Sequence, residues 1–327
     1  MEICAIRKEF IFKLKDAPTD SVHASTIALL QDGTIAAAWF GGTQESADDV
    51  RIWFAFRRKN GWTKPQPVPG NAGIPHWNPV LFVNRWGELF LYYKVGRTIE
   101  TWRTYFVKSV DNGETFTYPA PLVPGDIGGR GPVKNKPVCL SDGTLLAPAS
   151  TEHPDNWTCH VDRSEDNGKT WERIAIEKPD ITVGNGTMHL GMIQPTLWES
   201  EPGHVHALMR TNAGYAYRTD SLDGGHTFCT AYQTDIPNNN SGIDLARLSD
   251  GTLALISNPV SVNWGSRSPL TVSLSQDNGF TFTKALTLED GNGEFSYPSV
   301  IASEENRLYI TYTYLRRTVA FVQIGMA

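Results

Sequence analysis

Ser109-Val-Asp111-Asn-Gly113-Glu-Thr115-Phe116 is the stretch that decides the fold, because the chain writes the same phrase four times. The pattern Ser-x-Asp-x-Gly-x-Thr-aromatic returns from Ser164 to Trp171, from Ser221 to Phe228 and from Ser275 to Phe282. Its aspartates stand at 111, 166, 223 and 277, at intervals of 55, 57 and 54 residues. Self-similarity at such a period marks a repeat architecture. Within each copy Asp-x-Gly specifies a tight turn: the carboxylate accepts bonds from nearby backbone N–H groups, the glycine supplies a positive φ, and the aromatic ring packs beneath. The phrase reads as a staple between two outer strands.

A second repeat is interleaved with the first. Turn pairs flanked by apolar runs occur at Asp32-Gly33, Trp86-Gly87, Asp142-Gly143, Pro202-Gly203, Asp250-Gly251 and Glu305-Asn306, with spacings of 54, 56, 60, 48 and 55. That gives six units. Four carry the full phrase, and a degenerate copy, Arg57-Arg-Lys-Asn-Gly61-Trp62, belongs to the first. Runs such as Thr34–Trp39 and Thr252–Ile256 are short and apolar, as strands buried between neighbouring sheets should be. Nothing has helical period at adequate length. The expectation is an all-β, six-bladed β-propeller with four-stranded antiparallel blades, using residues 1–327 as a single domain.

Composition fits this and excludes other classes. Forty per cent hydrophobic residues, with 10 Trp, 11 Tyr and 14 Phe, suffice to fill the interfaces between blades. A net charge of −6 argues against nucleic acid or an anionic membrane as partner. The first residues contain no apolar run long enough for a signal peptide or membrane span, so a cytoplasmic location is expected. They read as a strand that joins the C-terminal strands at Tyr309–Thr313 and Thr318–Ile324 and closes the ring. Cys4, Cys139, Cys159 and Cys229 lack metal-type spacing and are expected to be reduced core cysteines. No cofactor motif is present, and the oligomeric state is open.

Propellers bind ligands at the mouth where the innermost strands begin. Counting back nine or ten residues from each inner turn reaches His23, Asn78, Lys134, Gln194, Ser241 or Gly242, and Tyr297. Counting forward seven reaches Phe40, Lys94, Ser150, Arg210, Asn258 and Thr313. A solvated rim would also be polar, but Lys94, Lys134 and Arg210 would bring cations together on an acidic protein and suggest an anionic ligand. Trp77, Trp157 and Trp264 fall on loops of the same side, where an indole can stack on a sugar face.

The repeated phrases are Asp boxes, and the chain resembles the sialidase (neuraminidase) superfamily of BNR-repeat propellers along its whole length. That resemblance implies an exo-acting glycosidase with a Tyr nucleophile, a Glu that activates it, an acid/base Asp on a mobile loop, and three arginines that bind the sugar carboxylate. Arg267, shortly before the last box, resembles the third arginine. Arg210, eleven residues before Ser221, resembles the second, and Tyr297 in Ser296-Tyr297-Pro-Ser-Val resembles the nucleophile. Two positions depart: His23 stands where the first arginine is expected and Gln194 where the Glu is expected, and Gln cannot act as a base. The loop Gly41–Asp49 offers Glu45, Asp48 and Asp49 for the acid. The alternative is a uronic-acid lyase, with His23 or His76 as base, Tyr297 as acid and Arg210, Arg267 or Lys94 neutralising the carboxylate. A third reading is a non-catalytic glycan-binding propeller. In every case the expected partner is an anionic mono- or oligosaccharide, with Lys134, Gln194 and Asn78 in the binding set. Arg267 also has a dull reading, as an ion pair with a carboxylate such as Asp244.

Overall fold

A computed structural model describes residues 2–70, 73–186 and 188–327. Six antiparallel sheets follow one another along the chain. Blade one is Ser21–Leu29, Ile35–Gly42 and Arg51–Arg58, with a broken outer edge, Gly61–Trp62 and Gln66–Pro67, both pieces pairing with Arg51–Arg58. Blade two is His76–Val83, Leu89–Val95, Arg103–Ser109 and Ala120–Pro121. Blade three is Val138–Cys139, Leu145–His153, Asn156–Ser164 and Glu172–Ile176. Blade four is Met192–Glu201, His204–Thr211, Tyr215–Ser221 and Tyr232–Pro237. Blade five is Asp244–Arg247, Leu253–Ser257, Leu270–Ser275 and Thr283–Glu289. Blade six is Phe295–Ala302, Arg307–Tyr314 and Thr318–Met326, completed by the N-terminal strand Ile3–Phe10. That strand pairs with Thr318–Met326 from Ile3 opposite Met326 to Phe10 opposite Ala320, so the two ends of the chain close the ring.

The Asp boxes do what their composition demands. Asp111 accepts from the Thr115 N–H at 2.9 Å and hydroxyl at 2.5 Å, while Ser109 Oγ accepts from Gly113 N at 2.9 Å. The Thr115 hydroxyl above all pulls the Asp111 carboxyl down to about 2, as Thr170 does for Asp166. Each box also fastens its blade onto the preceding one. Phe116 joins Phe54 and Phe56 of blade one, Trp171 joins Val80 and Tyr92 of blade two, Phe228 joins Leu146 of blade three, and Phe282 joins Trp198 of blade four. A side chain at Gly113 (φ +82°) would come within 2.2 Å of the Phe56 ring, so this glycine is needed for approach as well as for the turn.

The cysteines correct one expectation. Of the four free cysteines only Cys159 is buried; Cys4, on the N-terminal outer strand of blade six, and Cys229, in the segment before Tyr232–Pro237, are exposed, and Cys139 is intermediate. A two-stranded ribbon, Thr182–Val183 with Met188–His189, fills the long interval between blades three and four. Among the described residues no helix is long and apolar enough to cross a membrane.

Candidate active site

The innermost strands share a device that aims side chains at the axis. Pairing with the second strand slips between His23 and Thr26, Trp77 and Val80, Ile193 and Thr196, and Ser296 and Ser299. Each slip holds a non-glycine residue at positive φ: Ala24 (51°), Asn78 (40°), Gln194 (55°) and Tyr297 (52°). Lys134 (65°) takes the same conformation just before blade three's inner strand. Bulges re-aim side chains, and left-handed non-glycine backbone is costly, so its recurrence at one level of the ring must be held by the surrounding packing. In blade five, the missing side chain of Gly242 makes room for its neighbours: a Cβ there would lie 2.8 Å from the Lys134 side chain and 3.3 Å from the Tyr297 ring.

Tyr297 stands at the centre. Arg210 Nη1 donates to its hydroxyl at 2.6 Å and to Gln194 Oε1 at 3.1 Å, while Arg210 Nε donates to Asn240 Oδ1 at 3.1 Å. Arg210 is only 2% exposed, with its guanidinium carbon about 6 Å from the rings of Trp157, Trp264 and Tyr297. Arg267 lies 5.4 Å from the Tyr297 ring and donates to Glu294 Oε1 at 2.6 Å. Its carboxylate partner is Glu294; Asp244 is held instead by Lys136 at 3.0 Å.

Sequence reasoning missed Arg316. It sits in the turn after Arg307–Tyr314 at φ +52°, donates to Glu294 Oε2 at 2.9 Å and to Glu45 Oε2 at 2.5 Å, and lies 3.4 Å from His23 Nε2. The structure thus brings a third guanidinium, from a different blade, to the place where His23 had seemed to cost the site one. No repeat position announces a residue in a hairpin turn; its one signal is the Arg316-Arg317 pair itself. Arg267 and Arg316 are the two site arginines open to solvent, and Glu294 joins them.

His23 is 2% exposed, with its ring centre 4.3 Å from that of Tyr297. Arg316 can only donate, which assigns Nε2 as the acceptor and places the ring proton on Nδ1, 2.9 Å from Thr313 Oγ1. Burial first, then Arg316, Arg267, Arg210 and Lys134, holds the His23 pKa well below 6.5. It is a neutral imidazole with its lone pair turned to a cation.

The other expected residues are placed as follows. Lys134 is buried on the axis, donating to Asn135 Oδ1 and Ile243 O at 2.8 Å each and to Pro298 O, and burial brings it down to about 7. Lys94 is enclosed by Thr104 Oγ1 at 2.7 Å and Arg130 O at 2.8 Å, and burial lowers it to about 8. Both lysines serve backbone carbonyls, and neither is open to a ligand. His76 is fully buried against Tyr93, and Asn78 is nearly so. Trp77 is also enclosed, its N–H bonded to Gly96 O at 2.8 Å. The acidic loop is committed: Glu45 to Arg316, Asp48 to Arg97, and Asp49 to the Thr43 N–H and hydroxyl, the hydroxyl above all lowering its pKa. Glu152 is a second residue the counting missed. It pairs across its hairpin with Trp157, its Oε1 is enclosed without a hydrogen-bond partner among the described residues, and burial raises its pKa against the fields of Arg210 and Lys94. Among the described residues no set of three or more His, Cys, Asp or Glu is placed to hold a metal ion.

The family defined by a BNR repeat-like domain matches residues 33–310, and the chain belongs to it. No curated protein matches. Among solved structures, a protein of unknown function from Dyadobacter fermentans superposes with a TM-score of 0.75 at 16% identity, covering 99% of this chain and 100% of that one. Hadza microbial sialidase Hz136 gives 0.79 at 15% identity over 98% of this chain and 68% of that one. Trypanosoma rangeli sialidase, in complex with the inhibitor DANA, gives 0.75 at 15% identity over 98% and 60%. The fold is therefore that of a sialidase-like propeller.

Proposed function

We propose that this BNR-repeat protein is a carbohydrate-active enzyme that hydrolyses the terminal glycosidic bond of an anionic sugar. The observation that carries the reading is the convergence of Arg210, Arg267 and Arg316 on Tyr297 and its neighbour His23. Arg267 and Arg316, partly exposed and sharing Glu294, receive the substrate carboxylate; planar guanidiniums suit that task. Tyr297 attacks the anomeric carbon as the glycosidic bond breaks, its phenol proton passing to water and the leaving oxygen taking a proton from the loop acid; water then attacks the same carbon, gives a proton back to the loop carboxylate and frees Tyr297. Arg210 stabilises the negative charge that develops on the phenol oxygen during the attack, and a tyrosine that is neutral at rest avoids the repulsion a carboxylate nucleophile would meet from the substrate's own carboxylate. Asp48 is the loop carboxylate freest to turn inward as acid, since its pair with Arg97 is solvent-exposed and weakly held.

One observation favours a second reading, elimination from a uronic acid. Gln194 occupies the position next to Arg210 and offers Tyr297 no carboxylate base. A lyase needs no Tyr nucleophile, and Tyr297 would then move a proton while the arginines acidify C5.

Incubation with sialosides and with uronic-acid oligosaccharides tests both. Release of free acidic sugar supports hydrolysis, and a product absorbing in the near ultraviolet supports elimination. Binding of these sugars with neither product would leave a glycan-binding propeller.

A further inference from the structure

The innermost strand of blade three is only Val138–Cys139. Val133 N donates to Pro148 O at 3.0 Å, but regular pairing begins at Val138, opposite Leu146. Between these points the chain leaves the sheet as Lys134-Asn135-Lys136, with Lys134 at φ +65°. Lys134 and Asn135 are 2% and 1% exposed. Lys136 lines a cavity of about 740 Å³ at the far ends of the inner strands, so the tripeptide separates that cavity from the mouth.

Its side chains tie three other blades together. Asn135 Nδ2 donates to Gln194 O and Pro195 O of blade four, at 3.0 Å each. Lys134 Nζ donates to Ile243 O, at the start of blade five, at 2.8 Å, and to Pro298 O of blade six. Lys136 Nζ donates to both oxygens of Asp244 at 3.0 Å and to Leu245 O at 2.9 Å. Asp244 is fully buried and carries the tie further. It accepts from Thr196 Oγ1 of blade four at 2.9 Å and from Val300 N of blade six at 2.8 Å.

These bonds fall where the backbone is most costly. Gln194 and Tyr297 hold left-handed φ, and each is followed by a proline that cannot donate to the strand ladder. Such conformations persist only where the surroundings over-determine them. The donors of the tripeptide meet the carbonyls of Gln194, Pro195 and Pro298, at and just after the two bulges. We infer that Lys134-Asn135-Lys136 is a positioning element that touches no substrate. It fixes the strands that carry Tyr297 and Gln194, the two residues that share Arg210 Nη1, and so sets the Tyr297 hydroxyl against its donor. The inference rests on the reading of Tyr297 as the reacting group, which hydrolysis and elimination share.

Asn135→Asp is the sharpest probe. It keeps the Oδ1 that accepts from Lys134 and sets an oxygen, in place of the donor, against Gln194 O and Pro195 O. In the full chain labelled with carbon-13 at the tyrosine ring carbon that bears the hydroxyl, NMR reports Tyr297 as the resonance that Tyr297→Phe removes. Asn135→Asp should move that resonance toward its position in Arg210→Ala, where the bond to the hydroxyl is gone. On sialosides or uronic-acid oligosaccharides kcat should fall on the order of 100-fold, the cost of a misplacement of about 1 Å. KM should hardly change, because Arg267 and Arg316 are untouched. Lys134→Gln, too short to reach blades five and six, should act in the same direction. Gly113→Ala, which loosens blades one and two away from the axis, should lower stability and leave both the resonance and kcat in place. An unmoved resonance with unchanged kcat in folded Asn135→Asp overturns the inference. So does an equal effect of Gly113→Ala, or failure of both tripeptide variants to fold, which would make the element a folding determinant only. A moved resonance in a protein that turns over neither class of sugar supports the positioning and removes the enzymatic reading.

Discussion

Arg210 divides one Nη1 between two acceptors, the Tyr297 hydroxyl at 2.6 Å and Gln194 Oε1 at 3.1 Å. A glutamate at 194 would meet the same guanidinium as a charge-assisted partner and give Tyr297 a carboxylate within one hydrogen bond of its own donor. Gln194→Glu should therefore raise sialoside hydrolysis, by roughly 100-fold or more if the missing base is the limiting deficit. Steady-state release of free sugar measures this. A variant that folds and shows no gain would count against a hydrolytic Tyr297.

Glu294 holds Arg267 by one oxygen and Arg316 by the other. A substrate carboxylate must compete with it or lie across the two guanidiniums. Arg316→Ala should then raise KM or abolish turnover, at a cost of about 2–5 kcal/mol, because it removes one half of a charged pair in a partly desolvated site. Glu294→Gln should do the reverse for affinity and bind the acidic monosaccharide more tightly, since it unburdens both arginines. Calorimetric titration of the two variants checks the pair. Equal affinities would show that the ligand lies elsewhere.

His23 supplies a pH test. Its pKa is depressed, so between 6.5 and that lower value the unfolded chain binds a proton that the native protein does not. Stability is therefore full above about pH 6.5 and declines as pH falls through this window. A step that uses neutral His23 should likewise stay level from pH 7 to 6, in contrast to the loss near 6.5 that an ordinary histidine base would give. NMR titration of the His23 ring nitrogens should find it uncharged at pH 6, with the proton on Nδ1. A midpoint at or above 6.5 would refute the assigned environment.

The ring was legible because four of the six blades obey the same local rules: an Asp-x-Gly turn, a following Thr and an aromatic wedge recur where the outer hairpins of blades two to five meet the blade before them. Counting from the second repeat, the inner turns such as Pro202-Gly203 and Glu305-Asn306, also reached Gln194, Arg210 and Tyr297, since those turns join the two innermost strands of each blade. It failed where the chain leaves the period. Arg316 lies in a hairpin turn, and Glu152 lies two residues past the counted Ser150. Lys94 and Lys134 were reached at the right height, yet their direction was invisible. A lysine at the mouth can face a ligand or a backbone carbonyl, and only the neighbouring loop, Arg130-Gly131 for Lys94 and Ile243 with Pro298 for Lys134, decides.

Which carboxyl supplies the proton is decided by comparing Asp48→Asn with Glu152→Gln. Asp48 sits in an exposed ion pair, whereas burial keeps the Glu152 pKa raised and so favours its protonated form. If Asp48 is the acid, Asp48→Asn should lose about 100-fold or more on substrates with poor leaving groups and much less on an activated aryl glycoside. Glu152→Gln should then alter both substrates equally. The opposite pattern would transfer the role to Glu152.

The box glycines give the last prediction, on stability. Gly113 holds φ +82°, where a side chain is strained, and a Cβ would press within 2.2 Å of the Phe56 ring in the preceding blade. Phe56 belongs to the cluster that joins blades one and two, so it cannot withdraw without opening that interface. Gly113→Ala should destabilise the protein by about 1–3 kcal/mol, the usual cost of overpacking a filled interior. Gly33, also at positive φ (+82°) but with nothing within 4 Å of its Cβ position, separates the two causes: Gly33→Ala bears the backbone strain alone. Chemical denaturation of both variants should place Gly113→Ala clearly below Gly33→Ala. Equal losses would mean that the box glycine serves its turn only and that the wedge onto the preceding blade contributes nothing at this position.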